Sequence, residues 1–349
     1  MQKIVIHRPG GRRRLKIETA ATPRPKDQEV LVEVTAAGVN FADVIVRMGL
    51  YKSAREFVGW PVTPGFEFAG RIAASGPRVA ALEVGTPVFG VTRFGGYASH
   101  VCVPESQVYP IAADSRFTAD QWAAFPTVFL TAYHGLFQNI VVRPQMNILV
   151  HSAAGGVGGA LVQLGKIRGC RLIAVVGSSH KVAVARNFGA DVVIDKSPGN
   201  LWSQVRACCP KGCDVIFDAN GPDTLKQSYR HLAASGKLVV YGFHSMLSKR
   251  GSRLNWLKLA VGYFRIPRWS PLHMTSDNKS IVAFNLSYLF HRQDLLKEAM
   301  RHLIPWVEAG KIKTPPLQAF EFEKVAEAHQ ALESGDTTGK LILKLPPPG

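Results

Sequence analysis

Cysteine is scarce in this 349-residue chain, where Cys102, Cys170, Cys208, Cys209 and Cys213 are the full set. So few thiols, so unevenly spaced, cannot staple a chain of this size, which points to a reducing compartment and a core held by packing. Cys208, Cys209 and Cys213 lie close together. No His or second Cys pair follows them at finger-like spacing, and Pro210 and Gly212 read as an ordinary turn rather than a metal site. Acid is scarce too, since 25 Asp and Glu face 42 Lys and Arg for a formal charge of +17. The bases are scattered among apolar residues instead of forming long runs, so no specific nucleic-acid partner is expected, while an anionic cofactor or surface stays open. Long apolar runs are missing as well. Residues 121–142 are interrupted by Pro126, His134, Gln138 and Asn139, and residues 146–165 are rich in glycine, so neither reads as a membrane span. The first sixteen residues hold a three-residue apolar run and no secretory core, so a cytoplasmic protein is expected.

What is present is globular. A hydrophobic share of 46% against 19% charged excludes disorder and a coiled coil, and the length suits about two domains. Residues 1–120 carry short β-branched runs punctuated by Gly and Pro, such as EVLVEVTAAGV and GYASHVCVP, which reads as an antiparallel β region. From about residue 145 the texture becomes strand, glycine loop, helix and strand in repetition: NILVHSA, GGVGGALVQLGKIRG, RLIAVVGS, then DVVID, DVIFDANG and GKLVVYGF. That alternation is an α/β doubly wound parallel sheet. IVAFNLSYL (281–289) reads as a further strand, and a helix over 293–308, apolar at Leu296, Met300, Leu303 and Val307, should be kinked by Pro305. The expected domains are 1–120, 121–290, and a return of 291–349 to the first.

The sharpest chemical signal is Ala153-Ala154-Gly155-Gly156-Val157-Gly158-Gly159, between a strand and an apolar-periodic helix. It matches a dinucleotide loop with Ala153 at the first glycine position, Gly155 where backbone meets pyrophosphate, and Gly158 where helix packs on strand. About 20 residues on, an NAD site would place an acid. Here Gly177-Ser178-Ser179-His180-Lys181 offers none; Ser178 and Lys181, with Lys196 beyond the third strand, suit a 2′-phosphate, so NADPH is the expected cofactor. Ser152 has no partner spacing for a nucleophilic triad, and His134, inside FLTAYHGLF, reads as a satisfied histidine.

AAGVNFADVIVRMGLY (36–51), VTPGFEFAGRI (62–72), FPTVFLTAYHGL (125–136), VHSAAGGVGGALVQLGK (150–166) and TTGKLIL (337–343) together resemble the zinc-independent quinone oxidoreductase branch of the medium-chain dehydrogenase/reductase superfamily. MTSDNKSIVAFNLSYL looks most like the vesicle amine transport protein homologues within it. The resemblance implies a GroES-like β-rich catalytic domain joined to a Rossmann-type domain. It places Asn40 and Phe66 where zinc enzymes of the superfamily carry ligands, leaving Glu67 alone, so no metal is expected. It implies that Asn40 and Tyr51 line the cleft, that Asp43 and Arg47 support their loop, and that Thr131, Gly242, Phe243 and Lys340 edge the cofactor. Tyr51 is the candidate donor to a substrate carbonyl, with an aromatic wall as its other reading, and Asn40 and Asp43 complete the candidate catalytic set.

The implied reaction is hydride transfer to a quinone or an α,β-unsaturated carbonyl, acceptors that need no metal to become electrophilic. A 2-enoyl thioester reductase is the near alternative, and a lipid or membrane-surface binding protein on a cofactor fold is the distant one. A homodimer is the family expectation, through IVAFNLSYL. Residues 224–276 contain nine Lys and Arg and no Asp or Glu. The part over 249–269 interleaves Lys249, Arg250 and Arg253 with Trp256, Tyr263, Phe264 and Trp269, which suits either a lid over the cleft or contact with an anionic membrane.

Overall fold

The computed structural model describes residues 1–247 and 255–346. Two large sheets organise them, beside a small antiparallel pair of Gln2–Val5 with Lys16–Thr19. The first runs, from one edge to the other, Leu317–Glu321, Lys340–Lys344, Glu29–Val39, Glu67–Ser75, Pro87–Val91 and Val108–Pro110, with His100–Pro104 also paired to Glu29–Val39. All its pairings are antiparallel except that of Leu317–Glu321 with Lys340–Lys344. Glu29–Val39 is long enough to serve three neighbours, and its inward Val30, Val32 and Val34 join Phe68, Ile72 and Val88 in one buried cluster.

The second sheet is wholly parallel, in the order Val192–Asp195, Arg171–Val176, Asn147–Val150, Cys213–Asp218, Leu232–Val240, Ser280–Ala283. Its central strands are buried on both faces, which is why NILV and LIAVV read as unbroken apolar runs rather than alternating ones. Chain order reverses between Asn147–Val150 and Cys213–Asp218. In such sheets the crevice for a ligand opens at the carboxyl ends of the strands flanking that reversal.

Only the first half of IVAFNLSYL is strand. Ser280–Ala283 adds to the sheet edge, and Leu286–His291 turns into a 3-10 helix, because the Asn285 side chain accepts from the Ser287 amide at 3.0 Å and so caps a helix where strand would have continued. The helix Gln293–Glu308 runs on through Pro305. Its buried Leu296, Met300, Leu303 and Val307 pack with Tyr133 and Leu136 in the core under the second sheet, and the chain re-enters the first sheet at Leu317. The uncharged stretch 121–142 divides into Pro126–Tyr133 and a one-turn π-helix, His134–Gln138. Among the described residues no helix is long and apolar enough to cross a membrane.

Candidate active site

Strand Asn147–Val150 delivers the chain to Ser152, which takes a left-handed φ of 55° and starts a tight turn into the helix Gly156–Ile167. The glycines of this turn do different work. A Cβ on Gly158 would sit 2.3 Å from the Ser152 carbonyl oxygen, so only glycine lets the helix close onto the turn. A Cβ on Gly156 would meet Val128 at 2.8 Å and Lys340 Cδ at 3.0 Å. Gly155 is open, its nearest neighbour being the Ser152 carbonyl at 3.4 Å. The N–H groups of Gly156, Val157 and Gly158 occupy the first turn of this helix, where no intrahelical acceptor exists, and Ala153 is fully buried beneath them. These residues fit the pyrophosphate of a dinucleotide.

The ends of the next two strands bring Gly177, Ser178 and Lys196 together, with Lys196 Cε 4.0 Å from where a Gly177 Cβ would lie. Ser178 Oγ is 3.3 Å from His180 Nδ1. Lys181 is buried and donates to the Gly335 carbonyl, at the C-terminal end of the helix Val325–Ser334, where a cation is favoured by the helix dipole. Asp195, which sequence reasoning passed over, sits at this edge too. Its carboxylate accepts from Ser179 Oγ at 2.7 Å and from Ser197, hydroxyl contacts that hold its pKa below the ordinary value.

Across the crevice the first sheet contributes a buried polar cluster. Lys340 Nζ donates to Glu67 Oε1 at 2.6 Å, to Asn40 Oδ1 at 2.7 Å and to the Val39 carbonyl at 3.0 Å. Asn40 Nδ2 donates to the same Glu67 oxygen at 2.8 Å, and the other carboxylate oxygen accepts from the Thr127 amide at 2.8 Å. Glu67 is fully buried and Lys340 nearly so. Gly38 is required here, since a Cβ on it would lie 2.3 Å from Glu67 Oε1. Asp43 opens the helix Phe41–Met48 by accepting from the Asn40 amide, and it also accepts from the Gly65 amide and Tyr97 hydroxyl, at 2.8, 2.8 and 3.1 Å. Burial outweighs these donors and pushes the Asp43 carboxyl up to about 7. Arg47, wholly buried on the same helix, pairs with Glu333, which also takes Arg12 at 2.7 Å. Arg47 thus ties the helix to the C-terminal helix.

Tyr51 packs edge-on against Phe66, with ring centroids 5.8 Å apart, and its hydroxyl donates to Asn285 Oδ1 at 2.8 Å. This bond joins the first-sheet loop to the turn after the last parallel strand. Burial raises the Tyr51 pKa, so the phenol keeps its proton at neutral pH. Thr131 Oγ1 donates back to the Thr127 carbonyl at 2.7 Å, on the helix whose Val128 meets Gly156. His134 is buried, with Nδ1 2.7 Å from Gln138 Oε1, and burial lowers its pKa. Ser152 Oγ donates to Asn220 Oδ1 at 3.2 Å, and Gly242 and Phe243 pack against the loop holding Asn220 and Gly221.

Contacts thus run from Asp43 through Asn40 and Lys340 to Gly156 of the glycine turn, with Thr131 on the helix whose Thr127 and Val128 meet Glu67 and Gly156, and with Tyr51 packed on Phe66. Gly242 and Phe243 pack on the Ala219–Gly221 loop, and Lys196 and Ser178 sit just beyond the outer strand ends. Sequence reasoning named Glu67 and Lys340 separately and missed their pairing. It also missed Asn285 as the acceptor of Tyr51, and the buried Asp218, which orients the Asn220 loop by accepting from the Asn220 and Gly221 amides at 2.8 and 3.2 Å. The acid closing DVIFD before Asn220-Gly221 was the only visible signal for the last of these. Among the described residues no group of three or more His, Cys, Asp and Glu could hold a metal ion.

Two family descriptions match the chain: Alcohol dehydrogenase GroES-like domain over residues 26–113 and Zinc-binding dehydrogenase over residues 188–343. The synaptic vesicle membrane protein VAT-1 homolog of Danio rerio is 32% identical over 339 residues, covering 97% of this chain and 69% of that protein. Among solved structures, human synaptic vesicle membrane protein VAT-1 homolog-like protein superposes with a TM-score of 0.82 at 28% identity, covering 100% of this chain and 99% of its own. Escherichia coli quinone oxidoreductase complexed with NADPH gives a TM-score of 0.85 at 26% identity, covering 99% of this chain and 100% of its own.

Proposed function

The chain belongs to the medium-chain dehydrogenase/reductase superfamily, in the branch that holds quinone oxidoreductases and the VAT-1 homologues, and on that premise we propose that it is an NADPH-dependent, metal-free reductase of quinones or α,β-unsaturated carbonyls. The observation that carries the reading is the Asn40–Glu67–Lys340 cluster set against Gly156. Where a zinc enzyme would hold a cation with Cys and His, this chain has Asn40 and Phe66, and the Lys340 ammonium already satisfies the carboxylate. That donor set supports chemistry without a Lewis acid.

NADPH, when bound, supplies a hydride. The open Gly155, the first-turn N–H groups of Gly156, Val157 and Gly158, and the side chains of Lys196 and Lys181 would hold its phosphates. Thr131, Gly242, Phe243 and Lys340 would border the nicotinamide end. Negative charge then develops on the substrate oxygen, and Tyr51, protonated and within the cleft, would exchange Asn285 for that oxygen and donate to it. Asn40, fixed by Glu67 and Lys340 through its side chain and by Asp43 through its amide, would orient the acceptor. A panel of quinones, 2-alkenals and 2-enoyl thioesters, followed by cofactor absorbance under NADPH and NADH with chelator present, tests this. Turnover of quinones or enones that survives chelation is expected. Loss of activity with one stoichiometric zinc refutes the metal-free part, and preference for thioesters moves the substrate class.

A second reading is favoured by one surface. Trp256, Leu257, Tyr263 and Phe264, all on the helix Trp256–Phe264, are between 65 and 79% exposed, with Leu272 beside them in sequence at 73%. Lys258, Arg265 and Arg268 flank them, while Lys249, Arg250 and Arg253 lie outside the described residues. Such a face suits peripheral contact of a cytoplasmic protein with an anionic bilayer. Salt-sensitive co-sedimentation with anionic but not neutral vesicles is expected, and equal binding to both removes the idea. Homodimerisation is proposed through the sheet edge Ser280–Ala283, where one side of the strand has no partner strand among the described residues.

A further inference from the structure

We infer that Cys209 and Cys213 form a peroxide-responsive thiol pair at the end of the parallel sheet away from the crevice, with Cys209 as the attacking sulfur and Cys213 as the resolving one. Three elements set the two residues across one tight turn. The helix Leu201–Cys208 ends at Cys209, the Gly212 amide donates to the Cys209 carbonyl at 2.9 Å, and strand Cys213–Asp218 begins at once. Gly212 at φ +89° is what reverses the chain so tightly: a Cβ there would lie 2.5 Å from the Ala233 amide nitrogen. Cys213 follows Cys209 by four residues, on the far side of this turn, whereas the Cys208 thiol donates to the Val205 carbonyl at 3.4 Å.

Arg171 opens the strand Arg171–Val176, one strand beyond Asn147–Val150, and reaches across this turn. Its Nη1 lies 3.7 Å from Cys209 Sγ and donates to the Cys208 carbonyl at 3.0 Å and Asn147 Oδ1 at 2.9 Å. The nearest acid in sequence, Asp214, is taken up by the Asn147 amide at 2.7 Å. A guanidinium beside the sulfur, with the Cys213 thiol across the turn, is a thiolate environment. Accordingly the Cys209 thiol is pulled down to about 6, chiefly by the bond from Cys213, whereas burial pushes Cys102 up to about 11.

The chemistry closes without further groups. The Cys209 thiolate attacks one oxygen of hydrogen peroxide, an S–O bond forms, the O–O bond breaks, and hydroxide leaves. Cys213 then attacks the sulfenic sulfur, its proton combines with the departing hydroxyl as water, and a disulfide remains. A small dithiol reverses it, becoming a disulfide itself. Cys209 is 5% exposed, which admits peroxide more readily than a bulky electrophile.

The test uses the full-length protein under limiting hydrogen peroxide, capped with a maleimide and digested with trypsin. Cleavage after Arg206, Lys211 and Lys226 places the two cysteines on separate peptides, so the disulfide appears as ACCPK joined to GCDVIFDANGPDTLK. That linked pair is expected to form first, in wild type and in Cys208→Ser alike. Cys213→Ser should halt at a dimedone-trapped Cys209 sulfenic acid, and Arg171→Met should slow the first step roughly ten-fold. Oxidation that follows exposure, with Cys102 or Cys208 ahead of Cys209, overturns the proposal, as does the same thiol loss in Cys209→Ser. Should a variant fail to fold, the wild-type order of oxidation decides alone.

Discussion

Replacing Lys340 by Met removes the ammonium paired with Glu67, a carboxylate with no solvent exposure, and leaves it, among the described residues, the Asn40 amide group and the Thr127 N–H. Breaking a buried pair from one side costs about 3–5 kcal/mol, because the remaining charge is still desolvated. A 1 kcal/mol loss moves the midpoint of a large domain by roughly 2 °C, so Lys340→Met should melt about 6–10 °C below wild type. The double variant Glu67→Gln/Lys340→Met buries no charge, and the side-chain amide introduced by Glu67→Gln can still accept from Asn40 or Thr127. It should regain most of the loss, giving a coupling energy on the order of 2 kcal/mol or more in a double-mutant cycle. Calorimetry on wild type, both single variants and the double variant reads this directly. A double variant no more stable than Lys340→Met would refute the reasoning, and so would singles that lose nothing, since either result makes the pair a surface-like contact.

Tyr51→Phe is expected to lower turnover with little change in NADPH affinity, because the hydroxyl is assigned to the transition state; an unchanged rate at saturating quinone makes Tyr51 a wall. Lys181→Ala and Lys196→Ala are each expected to weaken NADPH more than NADH, by about 1.5–3 kcal/mol for a well-formed charge-assisted contact. Calorimetric titration of both cofactors separates phosphate contact from support, and an equal loss for both cofactors in Lys181→Ala leaves that residue as the cap of the Val325–Ser334 helix. Asp43 has a folded pKa raised to about 7 from the ordinary 3.8, so the folded state holds its proton more tightly. Its contribution to stability is full below the unfolded pKa and is lost as pH rises through about 7. Melting followed from about pH 4 to about pH 8 should show that decline in wild type and a flatter profile in Asp43→Asn.

The doubly wound sheet and the glycine loop were legible from residue order alone, because both are local. Apolar runs such as NILV and RLIAVV declare strands buried on two faces, and Gly155 to Gly158 mark a turn whose steric demand does not depend on distant chain. The limits of that legibility are equally physical. IVAFNLSYL has the composition of a strand throughout, yet Asn285 caps a helical turn there and its side-chain oxygen receives Tyr51 from a loop 234 residues earlier. Lys181 reads as a phosphate ligand by position, and only the fold shows that its ammonium also meets the Gly335 carbonyl. Cys208, Cys209 and Cys213 read as a turn, and only the approach of Arg171, from two strands away in the sheet, sets a guanidinium beside the Cys209 sulfur. Local sequence thus determined the buried parallel strands and the glycine loop. The tertiary structure decided which charges meet: Lys340 with Glu67 across 273 residues, and Arg47 with Glu333 across 286. Pairing of buried charges depends on where chain segments converge in space, and no spacing along the sequence encodes it.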